Sequence, residues 1–443
     1  MLRFLVLLVA GVVIWFPARK HTRDLRLRDG FLVVALFWVV LGMAGAAPLV
    51  LSDKPHLSIT DAVFEAVSGF TTTGATVITG LDSLPHSVQY YRQQIQWLGG
   101  IGMVVLAVAL LPMLGVGGMQ LLKAEAPGPV KDAKITPRIT ETAKALWKVY
   151  VAITIACAFG YWLAGMSVFD AIAHSFSTVS TGGFSTHDAS LAYFDSAGVE
   201  FVAIIFMCLG GINFTLHYLA WRGLRLIDYV RDPECRAYVL ILLAVSVLCA
   251  VTLYFSNVAN GGTSIRWGAL QAVSIMTSTG FLTTNFAVWP GALPVLLILT
   301  TFIGGSAGST AGGMKVIRWM LMWKQGTREV ERLVHPSAIL PVKLGSKPVD
   351  WNIVNSVWGF FAIYVVCFGM LMVALIGTGV DQVTAFSAIA TCINNTGPGL
   401  GNVTSNFITI SVIGKWICIT AMLLGRLEIY PLLVLVTPMF WRR

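Results

Sequence analysis

The chain has 443 residues, 56% of them hydrophobic and only 12% charged, with 30 lysines and arginines against 21 aspartates and glutamates for a net charge of +9. This excludes an ordinary soluble domain, because several apolar runs are long enough to cross the ~30 Å hydrocarbon core of a bilayer. A nucleic-acid partner is not expected either: the basic residues are spread over short loops, with no stacking aromatics between them.

In chain order, the run 2–16 is short and carries a single arginine, Arg3, at its start, but Arg19, Lys20, Arg23, Arg26 and Arg28 trail it and no small-x-small cleavage site does. It is read as an extra N-terminal helix that is retained. Spanning runs follow at 31–51, 95–115, 146–165, 198–220, 237–256, 292–303, 352–377 and 408–424. Segments 18–30, 116–148, 222–236, 315–347 and the tail Arg442–Arg443 carry nearly all the lysine and arginine. The alternate segments 52–94, 166–197, 257–291 and 378–407 carry only Lys54, Arg92 and Arg266. The positive-inside rule places the basic set in the cytoplasm and makes the protein multi-pass. The outer set holds Asp53, Asp61, Glu65, Asp82, Asp170, Asp188, Asp195, Glu200 and Asp381. An acidic outer face of this kind attracts cations if it lines a pore mouth. Seven cysteines lie scattered through apolar segments without metal-ligand spacing and read as packing residues.

Each outer segment repeats one pattern. Residues 65–74 read EAVSGFTTTG, 174–183 HSFSTVSTGG, 271–280 QAVSIMTSTG and 388–397 AIATCINNTG. A hydroxyl residue (Ser68, Ser177, Ser274, Thr391) stands six positions before each glycine (Gly74, Gly183, Gly280, Gly397). The unit is a span, a short half-helix, an extended loop and a second span, four times over, which sets the fold. Irregular backbone at membrane depth is tolerated only where protein buries it or where it lines water. Four re-entrant loops meeting on one axis can offer their carbonyls in place of an ion's hydration shell, with glycine supplying the backbone freedom to aim them. Half-helices that point their C-terminal ends at the axis favour a cation there.

A second alignment lies 24 to 28 residues further on, at Gly99-Gly100, Gly210-Gly211, Gly304-Gly305 and Gly425-Arg426. An intramembrane arginine costs ~2.5–3.5 kcal/mol on insertion scales and normally faces a water-filled cavity. Arg426 is therefore expected to project into space that its glycine counterparts leave empty, with Glu428 and Asn213 as candidate polar partners. Lys415 is a second intramembrane cation with no partner visible in the sequence. Residues 304–313 read GGSAGSTAGG, five glycines in ten positions. With each glycine costing ~0.8–1.0 kcal/mol against alanine in a helix, the sixth main span is expected to break there into a candidate gate.

The strings SGFTTTGATV, STVSTGGFST, TSTGFLTTN, NNTGPGLGN, GGSAGSTAGGMK and LLGRLEIY resemble the Trk/Ktr/HKT superfamily of potassium transporters, and within it the bacterial TrkH/TrkG type of pore-forming subunit. The resemblance covers nearly the whole chain after about residue 25, where only one short helix is expected before the first repeat. It implies an all-α membrane protein with four M1–pore loop–M2 repeats around a single central pore, plus the extra N-terminal helix. The divisions are 1–30, 31–115, 146–221, 237–324 and 352–443. The implied selectivity filter is Thr72, Thr73, Gly74, Thr181, Gly182, Gly183, Ser278, Thr279, Gly280, Asn395, Thr396 and Gly397, with K+ held at Thr73, Gly182, Thr279 and Thr396. The implied gate is Gly304, Gly305, Gly308, Gly312 and Gly313 together with Arg426. The function implied is potassium uptake across the cell inner (cytoplasmic) membrane, by a homodimer surrounded by membrane lipid and docked on a cytoplasmic ring of TrkA-like nucleotide-binding regulatory subunits. Potassium is the transported ion, no covalent cofactor is expected, and nucleotide is expected only on the partner. The alternatives are a sodium-permeable or proton- or sodium-coupled transporter of the same fold, and a membrane enzyme. The last lacks a nucleophile–base pair, His174 standing alone.

Overall fold

The computed structural model describes residues 27–105, 135–338, 340–345 and 347–442, together with Gly11 and Phe16. The N-terminal helix expected over 1–30 thus lies almost wholly outside the described residues, as does most of the loop 116–148. The helices recur in one order. First come α1 (Leu27–Val50), α2 (Ile59–Phe70) and α3 (His86–Val105). Then come α4 (Ile135–Leu163), α5 (Val168–Val179), α6 (Ala197–Gly210) and α7 (Phe214–Gly223), followed by the short α8 (Ile227–Arg231). The third group is α9 (Pro233–Phe255), α10 (Gly261–Met276), α11 (Leu293–Thr301) and α12 (Val316–Val334). A two-stranded antiparallel pair, β1 (Lys343–Leu344) and β2 (Lys347–Pro348), precedes the fourth group, α13 (Trp351–Ile376), α14 (Gln382–Ile393), α15 (Val412–Arg426) and α16 (Tyr430–Val436), with α17 (Pro438–Trp441) at the end.

Within α1, α4, α9 and α13, segments of 21, 23, 23 and 26 residues are long and apolar enough to cross a membrane. Their outward faces expose Val33, Phe37, Ile155, Phe159, Leu243, Val247, Val366 and Met370. Patches of this size are an aggregation liability in water but cost nothing against lipid tails. The third helix of the first repeat, α3, is less apolar, because Gln89, Arg92, Gln93 and Gln96 lie along it; all four are buried. They face other parts of the protein rather than lipid.

The four half-helices α2, α5, α10 and α14 have 12, 12, 16 and 12 residues. At 1.5 Å per residue they are too short to span. Each starts from a polar cap whose side chain accepts a backbone N–H of the first turn: Ser58 from Asp61, Ser167 from Asp170, Asn260 from Thr263 and Asp381 from Thr384, all at 3.0–3.2 Å. This satisfies donors that the helix itself leaves orphaned. The caps lie in the segments poor in lysine and arginine, so the half-helices enter from the outer side and end inside the protein.

The break expected in the sixth span is present: α11 stops at Thr301 and α12 resumes at Val316. Two bends have no counterpart in the sequence reading, one inside the run 198–220 and one just past the run 408–424. Helices α6 and α7 meet at 97° and α15 and α16 at 115°. Asn213 accepts the Thr215 N–H at 2.8 Å to start α7, and Glu428 and Ile429 adopt φ of 54° and 62° at the second bend. No glycine-rich run marks these bends; they form where the chain turns beneath the half-helix ends.

Lys415 also finds its partner here. Its Nζ lies 2.6 Å from Asp61 Oδ1, joining α15 to the first turn of α2. Losing one member of a largely buried pair costs far more than the pair itself contributes. Asp61→Asn is expected to lower the melting temperature of the purified protein in detergent, and adding Lys415→Met is expected to restore most of the loss. A double variant as unstable as the single one would show that the pair's charge balance is not what matters.

Candidate functional site

Past each half-helix the backbone takes the same path. The second residue before each repeat glycine has positive φ: Thr72 53°, Thr181 52°, Ser278 55° and Asn395 53°. The glycines follow at 79°, 79°, 84° and 91° for Gly74, Gly183, Gly280 and Gly397. Between them, the N–H groups of Thr73, Gly182, Thr279 and Thr396 donate to the carbonyls of Ser68, Ser177, Ser274 and Thr391, each at 2.8 Å. The recurring residue six positions before the glycine thus acts first through its backbone, by closing the turn. Alternating the sign of φ lets successive carbonyls face one side, whereas carbonyls along a pleated strand point alternately to both.

The four loops meet. A Cβ on Gly74 would lie 2.2 Å from the Gly182 carbonyl oxygen, and one on Gly183 1.8 Å from that of Thr279. On Gly280 it would lie 2.2 Å from the Thr396 oxygen, and on Gly397 2.7 Å from the Thr73 oxygen. Each glycine therefore touches the carbonyl of the next loop, and the fourth returns to the first, closing a ring in chain order. Both the positive φ and the missing side chain are needed. Asn395 Nδ2 reinforces the closure by donating to Thr73 Oγ1 at 3.0 Å. Among the described residues, the buried Thr72 Oγ1 and Thr396 Oγ1 have no hydrogen-bond partner.

Side chains nine positions before the glycine brace the loops from behind. Glu65 accepts from Thr76 Oγ1 and the Val77 N–H, both at 2.9 Å, and from Arg92 Nε at 2.8 Å. His174 Nε2 lies 3.0 Å from Ser185 Oγ, and Gln271 Oε1 accepts the Thr283 N–H at 3.3 Å. The fourth repeat has Ala388 in this column, and Ser387 substitutes for it, donating to the Leu400 carbonyl at 3.0 Å and accepting its N–H at 2.9 Å. Arg92 also donates to Ser185 O at 3.2 Å and lies over the Phe184 ring, tying the first loop to the second. Of the outer acids expected to form a field, Asp61, Glu65 and Glu200 are instead neutralised by Lys415, Arg92 and Arg266. Asp82 binds His187 across two outer loops, and that hydrogen bond holds its carboxyl below the usual carboxylate range.

One ring carbonyl differs from the others. Gly182 O accepts a hydrogen bond from Gln96 Nε2 at 2.6 Å, while Gln96 Oε1 accepts from the Phe184 N–H at 3.1 Å and Ser177 Oγ at 2.8 Å. A carbonyl has a second lone pair to offer, but its environment is not that of Thr73, Thr279 or Thr396.

Against the inner ends of the half-helices lies the segment between α11 and α12. Gly304, Gly308 and Gly313 have φ of 71°, 72° and 74°. Thr310 Oγ1 donates at 3.0 Å to the carbonyl of Val179, the last residue of α5. The Ser306 N–H donates to Gly211 O at 2.8 Å and the Phe214 N–H to Gly308 O at 3.0 Å. Gly305 packs against Ala311 and Ser309, and a Cβ on Gly312 would lie 1.9 Å from Asn394 O. The segment thus uses the backbone groups freed by the α6–α7 bend and sits against the inner ends of three half-helices.

Arg426 is buried and joins this segment: Nη1 donates to Thr310 O at 3.1 Å and Nη2 to Gly99 O at 2.9 Å, with the guanidinium 5.5 Å from the Trp38 ring. Two expectations are corrected. Glu428 pairs with Arg318, not Arg426, and Asn213 caps α7. The places of the counterpart glycines are also not empty: Tyr150 and Ser180 pack on Gly100, and Tyr238 packs on Gly211, because these glycines admit the tyrosines. The hydroxyls of Tyr150 and Tyr238 donate to the Trp97 and Cys208 carbonyls.

Compared with known proteins, the whole chain, residues 1–443, matches the model of a family described as TrkH, cation transport protein. The chain belongs to this family. It is similar to the Trk system potassium uptake protein TrkH of Vibrio parahaemolyticus, 52% identical over 442 residues that cover 99% of this chain and 91% of the relative. Escherichia coli K12 has two such relatives: TrkH, 52% identical over 440 residues (99% and 91%), and TrkG, 42% identical over 439 residues (99% and 90%). The crystal structure of the potassium transporter TrkH from Vibrio parahaemolyticus superposes with a TM-score of 0.92 at 50% identity, covering 99% of this chain and 91% of that one. The family is one of transporters, not enzymes, and its four-repeat helical fold is the fold of this chain.

The braces at Glu65, His174, Gln271 and Gln96 were missed as functional positions. The first three stand in the opening column of the repeat alignment, where a recurring polar residue was the signal; Gln96 had none. Gln96→Leu removes the donor to Gly182 O and leaves the Phe184 N–H unpaired, at a cost of ~1–3 kcal/mol. The expected outcome is a lower melting temperature together with a reduced potassium-to-sodium flux ratio in liposomes. A change in stability alone would make Gln96 only a packing residue.

Proposed function

We propose that the chain carries potassium ions across the cytoplasmic membrane of the cell through the ring formed by Thr72–Gly74, Thr181–Gly183, Ser278–Gly280 and Asn395–Gly397. The observation that carries this reading is the closure of the ring: each glycine abuts the next loop's carbonyl in cyclic order. Carbonyl oxygens from Thr73, Gly182, Thr279 and Thr396 then take the place of the ion's water. The inner ends of four half-helices add partial negative charge, and the names of the similar proteins point to the same ion. We assign the repeats to 31–115, 146–221, 237–324 and 352–443.

The ion-selectivity test is flux of potassium and sodium into liposomes holding the purified protein, with and without a proton gradient. Potassium is expected to move in preference to sodium. Equal movement favours a sodium-permeable member, and dependence on the proton gradient favours coupled transport. Gly74→Ser places a side chain where only 2.2 Å is available and φ is 79°, and is expected to raise sodium flux relative to potassium.

We further propose that residues 304–313 and Arg426 close the pathway on the inner side. A fixed positive charge ~4 Å from a passing cation costs about 4 kcal/mol at an effective dielectric near 20, roughly a thousandfold in rate. Arg426→Ala and a shortened 304–313 segment are each expected to raise basal potassium flux in protein that still inserts. Unchanged flux in both would place the gate elsewhere. The protein acts in this reading as a homodimer, and the basic segment 315–347, which continues from the gate, receives a nucleotide-binding regulatory ring.

A further inference from the structure

Residues 304–313 need something to hold them in place, and α12, which carries on from them, starts without a cap of its own: Lys315, at its N-cap position, makes no side-chain cap hydrogen bond. The missing acceptor comes from the first helix of the same repeat. Glu234, buried in the first turn of α9, accepts the Ala307 N–H at 2.7 Å and the Ile317 N–H at 3.2 Å, both on Oε1. One carboxylate oxygen thus gathers two backbone donors ten residues apart and staples the segment across its base. Backbone bonds from Val316 N–H to Gly305 O at 3.0 Å and from Met314 N–H to Phe302 O at 3.1 Å complete the closure. A carboxylate at a helix N-terminus is favoured by the helix dipole, and hydrogen bonds to a charged acceptor are about twice as strong as neutral ones.

We propose that Glu234 is the latch of the intramembrane gate: its carboxylate holds residues 307–317 in the closed arrangement, and displacement of α12 away from α9 breaks both hydrogen bonds together and frees the segment. The inference rests on the gating role proposed above for 304–313. It makes Glu234 a positioning residue, since it holds the segment through the backbone N–H groups of Ala307 and Ile317.

The test measures potassium flux into liposomes holding full-length Glu234→Ala, Glu234→Gln or Arg426→Ala, with hydrogen exchange of the same proteins followed by mass spectrometry. Glu234→Ala is expected to raise basal flux roughly tenfold, the scale of one charge-assisted hydrogen bond, and to speed exchange in peptides covering 305–318 while those covering α2, α5, α10 and α14 stay protected. Glu234→Gln keeps an oxygen that accepts hydrogen bonds, so its flux is expected between wild type and Glu234→Ala. If Arg426→Ala raises flux and Glu234→Ala does not, the latch is overturned and the gate stands. If neither raises it, the gate reading fails and the latch with it. Faster exchange throughout Glu234→Ala, without a rise in flux, would overturn the latch in favour of a purely structural carboxylate. Glu234→Gln as open as Glu234→Ala would likewise overturn the shared-acceptor geometry.

Discussion

Four stretches of non-helical backbone lie deep in a membrane protein, and most of the polar architecture exists to satisfy their hydrogen bonds. In hydrocarbon each unpaired N–H or C=O costs several kcal/mol. The loops cannot pair with one another as strands do, because their carbonyls are turned to one side. Each loop therefore closes on a few short-range bonds, chief among them the one from the residue before the glycine to the carbonyl five residues earlier, and borrows others from side chains behind it. Glu65, Gln96, Gln271 and Ser387 supply those partners, one for each loop, and His174 meets the Ser185 hydroxyl.

The same requirement accounts for the low apolarity of α3. A span facing lipid has no use for Arg92 or Gln96, but one packed against two re-entrant loops needs their donors. The buried Glu65–Arg92 pair is placed where both partners also hydrogen-bond backbone or hydroxyl groups, the condition under which a buried ion pair is tolerable. Three of the nine outer acidic residues that look like a field-forming group in the sequence, Asp61, Glu65 and Glu200, are paired with a lysine or arginine.

Below the ring, the departures from fourfold repetition are linked. Helices α6 and α15 end against half-helix carbonyls and the chain bends; the carbonyls of Gly210 and Gly211, freed at the first bend, are taken by Thr310 and Ser306 of the segment in the third repeat. Arg426, the one charged residue in its column, donates to Thr310 O and to Gly99 O. The irregular segment thus depends on the second repeat through backbone bonds, on the fourth through Arg426 and on α9 through Glu234.

The four-repeat helical architecture was legible in the sequence because hydropathy and a recurring glycine are local signals. A run of about 20 apolar residues must cross the bilayer, and a glycine at the same place in each unit reports the same positive φ. The break at 304–313 was legible for the same reason, as five glycines cannot hold a helix. The bends at Gly211–Asn213 and Leu427–Ile429, the pairing of Glu428 with Arg318, the partner of Lys415 and the contact of Glu234 with Ala307 were not. Each depends on a group brought close from a distant part of the chain: Lys415 meets Asp61 from 354 positions away and Glu234 meets Ala307 from 73. The sequence alone thus determined that the four repeat loops and 304–313 had to be irregular, because helix propensity and hydrophobic length act over a few residues. Only the tertiary structure decided which side chains satisfy that irregular backbone, because hydrogen bonds act over about 3 Å and their partners are chosen by packing.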